Sequence, residues 1–405
     1  MFSREVDLAA RLAAVAALVA GLALSSTSLA QSDARGSSIE ELLDQVRMVE
    51  SRDGESSPSL IALYTELGLR YQDKDEPAHA AAATQRALEI LRVNEGLYTL
   101  DQAPLIRQLI RNALALGDHG AAWELERGLL RLAERYPNDV RTARILHDSG
   151  DRRTDILERY KAGEFPPEIV LGCYYAEPND EQKRCGGSGN SQTVTSRLVY
   201  EVQTYYSQAV NILIANEQYD GDDLPLLFKE LVDSSYRYGT PSLGRRSLNY
   251  LLAYQYTKSE PWLARIETLV QIADWDLLYS DGLTAENAAL AEYAEARRLC
   301  DLEGIPREAI DRLFSPEVPI RLPAFYPSPL VSTTTLGTAG HIDIGFEVDK
   351  YGSSRRVRIQ NATGNATPTE KKRLQQNIQR SRFRPRFTGG ESEGTGPVVA
   401  RYQLK

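Results

Sequence analysis

The 405-residue chain carries 47 Lys or Arg against 56 Asp or Glu, a formal net charge of −9, with 42% hydrophobic residues. Three cysteines are too few to staple an exported fold of this size, so packing must hold the core. Past the first thirty residues no apolar run is long enough to span a bilayer. In chain order, Arg4 and Arg11 come first, then the apolar run Leu12–Leu24 and "SSTSLAQ", where Ser28 and Ala30 supply the small residues of a signal-peptidase site. Residues 1–30 read as a secretory signal cut after Ala30, because the apolar run reaches only about 20 Å as a helix, short of the ~30 Å hydrocarbon core. After cleavage no stable transmembrane span is left. The alternative is that the signal stays as an anchor.

Residues 31–165 read as helical hairpins. Ser38 stands three residues before Glu41, the spacing of a capping box, and Ile39, Leu42, Leu43 and Val46 share one helical face. Next, Tyr64, Leu67, Gly68, Tyr71, Ala80 and Ala87 occupy the spacing of a tetratricopeptide repeat, with small residues where two helices approach most closely. This stretch resembles that family. A second unit at 104–139 places Leu109, Ala113, Ala122 and Leu129 at the contact positions around a Gly117-Asp118 turn. Residues 166–192 form an irregular excursion. Cys173 and Cys185 flank it in a loop composition that predicts a disulfide. Helical periodicity returns over 193–315, with a divergent repeat at 262–301 containing Ala273 and Trp275. Cys300 sits at an apolar helical position and reads as a buried thiol. The tyrosines of this half (Tyr200, Tyr205, Tyr206, Tyr219, Tyr236, Tyr238, Tyr250, Tyr254, Tyr256) either line a groove or form repeat core. A stack of such hairpins shares one quasi-linear core with a concave side.

No catalytic constellation is visible. His79, His119, His147 and His341 fall in separate segments, none paired at a metal-ligand spacing, and no nucleophile elbow, phosphate loop or dinucleotide fingerprint occurs. The expectation is a non-enzymatic protein with no catalytic residues, no cofactor and no metal.

Residues 316–339, with Pro316, Pro319, Pro323, Pro327 and Pro329, read as an extended Pro-rich linker. From 340 the period changes. Ile342, Ile344, Phe346 and Val348 alternate as a strand, a turn follows at Lys350–Ser353, and "SRRVRIQN" alternates as a second strand. Thr367-Pro368-Thr369-Glu370 opens a helix that Pro385 ends, carrying Leu374 and Ile378 inward. Val398, Ala400, Tyr402 and Leu404 alternate in a closing strand.

This strand–strand–helix–strand order, the "VDKYG" turn, the Phe-x-Pro after the helix and the Tyr326-Pro327 element together resemble the C-terminal domain of the TonB family, over residues 325–405. The fold expected is thus multidomain, a tetratricopeptide-like α-helical solenoid followed by a small α+β TonB-like domain at 340–405. The resemblance implies a periplasmic location and a partner bound by β-strand augmentation, such as a peptide of an outer-membrane protein. Carried over, Val399, Arg401 and Gln403 mark the candidate strand edge, with Tyr326 and Pro327 beside it. The function expected is a periplasmic protein-interaction scaffold whose partners are proteins of the cell envelope. The alternative is an atypical TonB-type energy transducer for outer-membrane transport, anchored in the inner membrane and facing the periplasm. Residues 350–405 carry a net +10 against −19 for the rest, and export argues against nucleic acid. Arg356, Arg358, Lys371, Lys372 and Arg382 form a basic face expected either to dock loosely on the acidic repeats or to meet an anionic partner.

Overall fold

A computed structural model describes residues 38–172, 194–216, 223–324, 330–333, 340–364, 366–388 and 390–403. They divide into two compact units, one ending at Ile145 and adding 158–194, the other taking 146–157 and everything from Thr195. Residues 1–30, Cys173, Cys185, Tyr219, Tyr326 and Pro327 lie outside the described residues. No helix among the described residues is long and apolar enough to cross a membrane.

The first unit is built from α1 (Ile39–Asp53), α2 (Ser59–Asp73), α3 (Pro77–Glu95), a 3-10 turn at Leu100–Gln102, α4 (Ala103–Ala115), α5 (His119–Ala133), the ends of α6 (Val140–Lys161) and the short α7 (Glu168–Leu171). From α1 to α5 each helix packs on the next. The α1 start is a capping box: the Glu41 N–H donates to Ser38 Oγ at 3.2 Å and the Ser38 N–H to Glu41 Oε2 at 2.9 Å. The small residues do what their spacing predicts. At Gly68 an added Cβ would lie 2.5 Å from Thr84 Oγ1 and 2.7 Å from Gln108 Nε2, so only glycine lets α2 come this close to α3 and α4. Leu67, Ala80 and Ala87 are buried with it. In the second hairpin Leu109, Ala113, Ala122 and Leu129 are all buried. Asp118 caps α5 by accepting the Ala121 N–H at 2.9 Å.

The second unit contains α8 (Val194–Ala215), α9 (Asp223–Tyr238), α10 (Pro241–Thr257), α11 (Trp262–Leu278), α12 (Leu283–Leu302) and α13 (Arg307–Phe314). Ile266, Val270, Ala273 and Leu277 of α11 recur on one helical face and meet Ala289, Tyr293, Ala296 and Cys300 of α12. Cys300 is buried and free, as its helical position predicts, and burial pushes its thiol pKa up. The tyrosines divide: Tyr206 is core, whereas Tyr200, Tyr250 and Tyr256 are exposed.

A small sheet follows in the same unit: β1 (Leu330–Ser332), β2 (His341–Val348), β3 (Ser354–Ala362), then α14 (Pro368–Arg380), the hairpin β4 (Arg386–Thr388) and β5 (Glu391–Glu393), and β6 (Val398–Gln403). The strand order is β1-β6-β2-β3, all antiparallel, with β4-β5 paired separately. The expected strand–strand–helix–strand order is present. Ile342, Ile344, Phe346 and Val348 fill the core with Val357, Leu374, Ile378 and Ala400. Thr367 and Glu370 cap α14 reciprocally, at 3.2 and 2.8 Å. Asp349 Oδ1 holds the turn after β2 by accepting the Tyr351 and Ser353 N–H groups at 3.0 and 2.9 Å.

Two expectations fail here. The helix ends at Arg380 rather than running on to Pro385, because the next residues pair elsewhere: the Phe383 N–H donates to Gly352 O and the Arg384 N–H to Ile320 O, both at 2.8 Å. For the same reason residues 316–339 are no free tether throughout. Leu322 and Pro323 are buried, the Leu322 N–H donates to Arg382 O at 2.9 Å, and Leu330–Ser332 is a strand of the sheet.

Candidate functional site

The sequence points to the last strand as an open edge, and its neighbours decide whether it is one. On one side β6 pairs with β2, placing Val399 opposite Gly345, Arg401 opposite Asp343 and Gln403 opposite His341. On the other, β1 pairs Leu330 with Tyr402, Val331 with Arg401 and Ser332 with Ala400. The reading of this strand as a free edge is therefore corrected at Arg401, which β1 covers. The chain's own β1 takes the backbone positions from Ala400 to Tyr402. Arg401 is also engaged, its Nε donating to Asp343 Oδ1 at 2.9 Å and its Nη2 to Oδ2 at 3.2 Å. This hydrogen bonding holds the Asp343 carboxyl below its ordinary pKa.

The sheet's other edge is β3, which is long but guarded. Register shifts interrupt its pairing with β2, and Arg356 sits there at φ +52°, a left-handed conformation that bends the strand. Arg355 reaches Asp349 Oδ2 at 2.8 Å and Arg356 reaches Glu347 Oε1 at 3.0 Å. Bulges and arginines on an edge oppose the addition of another strand.

Nor is the basic face one patch. Arg356 and Arg358 are exposed on β3, and Lys372 is exposed and Lys371 half-buried on α14. Arg382 is turned away into the joint between the sheet and α12. Its Nη2 lies 2.7 Å from Glu286 Oε1, and its Nη1 donates to Tyr351 O at 3.0 Å and Ser353 Oγ at 2.9 Å.

That joint is the most tightly organised feature of the second unit. Arg384, fully buried, donates from Nε to Asp274 Oδ1 at 2.8 Å, from Nη2 to Asp274 Oδ2 at 2.5 Å and from Nη1 to the Leu313 carbonyl at 3.0 Å. The Tyr293 hydroxyl donates to the same Asp274 Oδ1 at 2.5 Å. Burial works against the Arg384 charge, but Asp274 holds the guanidinium pKa above its ordinary value, while burial and the Asp274 charge push the Tyr293 hydroxyl well up. Around this set Phe387 packs with Tyr293 at 5.3 Å between ring centroids and with Phe314 at 6.3 Å, and Leu322 joins the same core. Loose electrostatic docking of a basic face on acidic repeats is thus corrected within this unit. The small sheet is fixed to α11, α12 and α13 by apolar packing around a buried ion pair.

The four histidines lie apart, as the sequence suggests. Among the described residues only His147 gathers two carboxylates, Asp151 on its own helix and Glu230 on α9. The pairing of His147 with Asp151, four residues on along one helical face, departs from the expectation that no histidine is paired at a metal-ligand spacing. Its third member, Glu230, comes from a distant helix that no local spacing reveals.

No family model matches the sequence, and no curated protein matches it. Among solved structures the chain is similar to the nearly identical TPR-like repeats of a kinesin light chain-like protein from Podosopora anserina, at 16% identity over 63% of this chain and 95% of that one, with a TM-score of 0.35. It is also similar to BtubC (BKLC) from P. vanneervenii, at 11% identity over 74% and 95% of the two chains with a TM-score of 0.38. A third likeness is to the C-terminal part of a TPR repeat-containing protein from Cytophaga hutchinsonii, at 11% identity, 67% and 93% coverage and a TM-score of 0.29. Likenesses this weak assign no function.

Proposed function

We propose that the protein is a non-enzymatic, protein-binding scaffold of the cell envelope, exported by residues 1–30 to the periplasm, in which helical hairpins bind the partner and the small α+β module is a fixed platform. The observation that carries this reading is the use of α2 and α4, the first helices of successive hairpins. The α4 helix buries Leu105, Ile106, Leu109, Ile110 and Ala113 yet leaves Leu114 exposed, and α2 likewise leaves Leu69 exposed. The two helices are tied side by side, Gln72 Nε2 donating to Asn112 Oδ1 at 2.5 Å. Each helix thus presents one large apolar side chain that the core does not use. Binding by strand augmentation at β6 is not carried forward, because β6 lies between β1 and β2, and the bulged, arginine-bearing β3 guards the edge beyond them.

A photo-crosslinking residue placed at Leu69 or Leu114 in cells tests this. The same residue at Val93, exposed on the second helix α3, is the control. Scaffold function through the first helices predicts one recurring protein adduct from Leu69 and Leu114 and none from Val93. Equal labelling from all three, or none, contradicts it.

A further inference from the structure

His147 and Asp151 stand one turn apart on α6, and Glu230 faces them from α9, all within the second unit. One ligand atom from each lies within 4.8 Å of the others. His147 Nε2 is 2.7 Å from Glu230 Oε2 and 3.6 Å from Asp151 Oδ1. His147 is only 5% exposed. Yet among the described residues neither of its ring nitrogens makes a hydrogen bond, nor does Glu230 Oε2.

An approach of 2.7 Å without a hydrogen bond means that the oxygen stands to one side of the ring's N–H axis. An imidazolium–carboxylate pair would align the two, since charge-assisted hydrogen bonds favour straight geometry. Two donors of one tetrahedral ion stand about 3.3 Å apart, so Glu230 Oε2 must draw back slightly from His147 Nε2 to admit one. Asp151 is held in place at the same oxygen that approaches His147. The Tyr206 hydroxyl donates to its Oδ1 at 2.8 Å, and the Tyr206 ring lies so close to Gly150 that any Cβ there would collide with it. Such outer contacts orient metal ligands.

We propose that His147, Asp151 and Glu230 form a binding site for one divalent transition-metal ion, Zn²⁺ fitting best. One imidazole with two carboxylates is a donor set for a borderline cation, whereas Mg²⁺ and Ca²⁺ prefer oxygen ligands alone. Three protein ligands leave a fourth tetrahedral position open. The ion offsets one half-buried carboxylate, Glu230, and one exposed carboxylate, Asp151, and ties α6 to α9, so its binding is coupled to the stability of this unit.

Calorimetric titration of the chelator-stripped full chain with ZnCl₂ is the test, repeated with MgCl₂ and with Co²⁺ followed by its visible absorption. The expected result is one Zn²⁺ site per chain, no Mg²⁺ binding at the same concentrations, and Co²⁺ bands of tetrahedral character. Glu230→Gln, which keeps the side-chain shape, and His147→Ala each weaken Zn²⁺ binding by at least about tenfold. His79→Ala, an exposed histidine on α3, leaves it unchanged. The proposal is overturned if wild type binds no more Zn²⁺ than the Glu230→Gln variant, if Mg²⁺ binds equally well, or if His79→Ala abolishes binding. Should His147→Ala fail to fold, the isosteric Glu230→Gln variant decides alone.

Discussion

The hairpins of the first unit and the sheet joint of the second are held by different physics. Around Gly68, Ala80 and Ala87 the first unit closes by removing side chains, so that two helices approach through small residues set by local spacing. Around Asp274, Tyr293 and Arg384 the second closes by burying a charge pair whose partners are 110 residues apart in sequence. The first arrangement repeats and tolerates drift in its outer residues. The second is a single point of attachment, whose failure leaves an unpaired charge in an apolar core.

This contrast is broken most severely at the joint. Asp274→Ala or Arg384→Ala should destabilise the second unit by about 3–5 kcal/mol, because each strands the other ion. Replacing both with apolar residues of similar size, Asp274→Leu with Arg384→Met, should recover most of that loss. Urea unfolding followed by amide exchange in α11 and β2 reads both effects. In the first unit, Gly68→Ala should cost about 1–3 kcal/mol by overpacking against Thr84 and Gln108, and exchange should accelerate in α2 and α3.

A smaller effect sharpens the electrostatic side. Glu292 receives Arg245 Nη2 at 2.8 Å, but burial and the neighbouring Asp276 push its pKa from 4.5 up to about 7. The folded state then keeps a proton that the unfolded chain has lost between pH 4.5 and 7, so stability falls as pH rises through that window and levels off above it. After solvent screening the effect is about 1 kcal/mol, and Glu292→Gln should remove the slope in melts taken across that range. The smallest effect belongs to the sheet edge. Arg356→Gly gives up an exposed ion pair with Glu347 and relieves a left-handed φ, so stability should move by less than about 1 kcal/mol in either direction. A larger loss would mean that this edge contributes more than its exposure suggests.

What was legible in the sequence follows the same line. The capping boxes at Ser38 and Thr367, the small contacts at Gly68, Ala80 and Ala122 and the alternation from Ile342 to Val348 are local patterns, and each has its expected place. The joint was hidden because Arg384 reads as one more basic residue before a proline, and Asp274 as one more carboxylate on an acidic helix. Only tertiary contact makes them partners. The last strand misled for a related reason. Its alternation gives its faces but says nothing of which strand lies beside it, and β1 is three residues of a Pro-rich stretch with no strand signal of its own. The His147 cluster was overlooked: Asp151 stands one helical turn away among many carboxylates, and the Glu230 arm comes from a distant helix.

The fixed attachment of the small sheet to the helices of the second unit is most directly tested by a distance between them. Spin labels at Leu302 on α12 and Lys372 on α14, both exposed, allow a pulsed electron–electron measurement at low salt and at about 1 M salt, where screening acts within roughly 3 Å. Packing around the buried Asp274–Arg384 pair predicts one narrow distance distribution, unchanged by salt. A broad distribution, or one that lengthens as salt rises, would contradict it and return the module to a loosely tethered, electrostatically docked state.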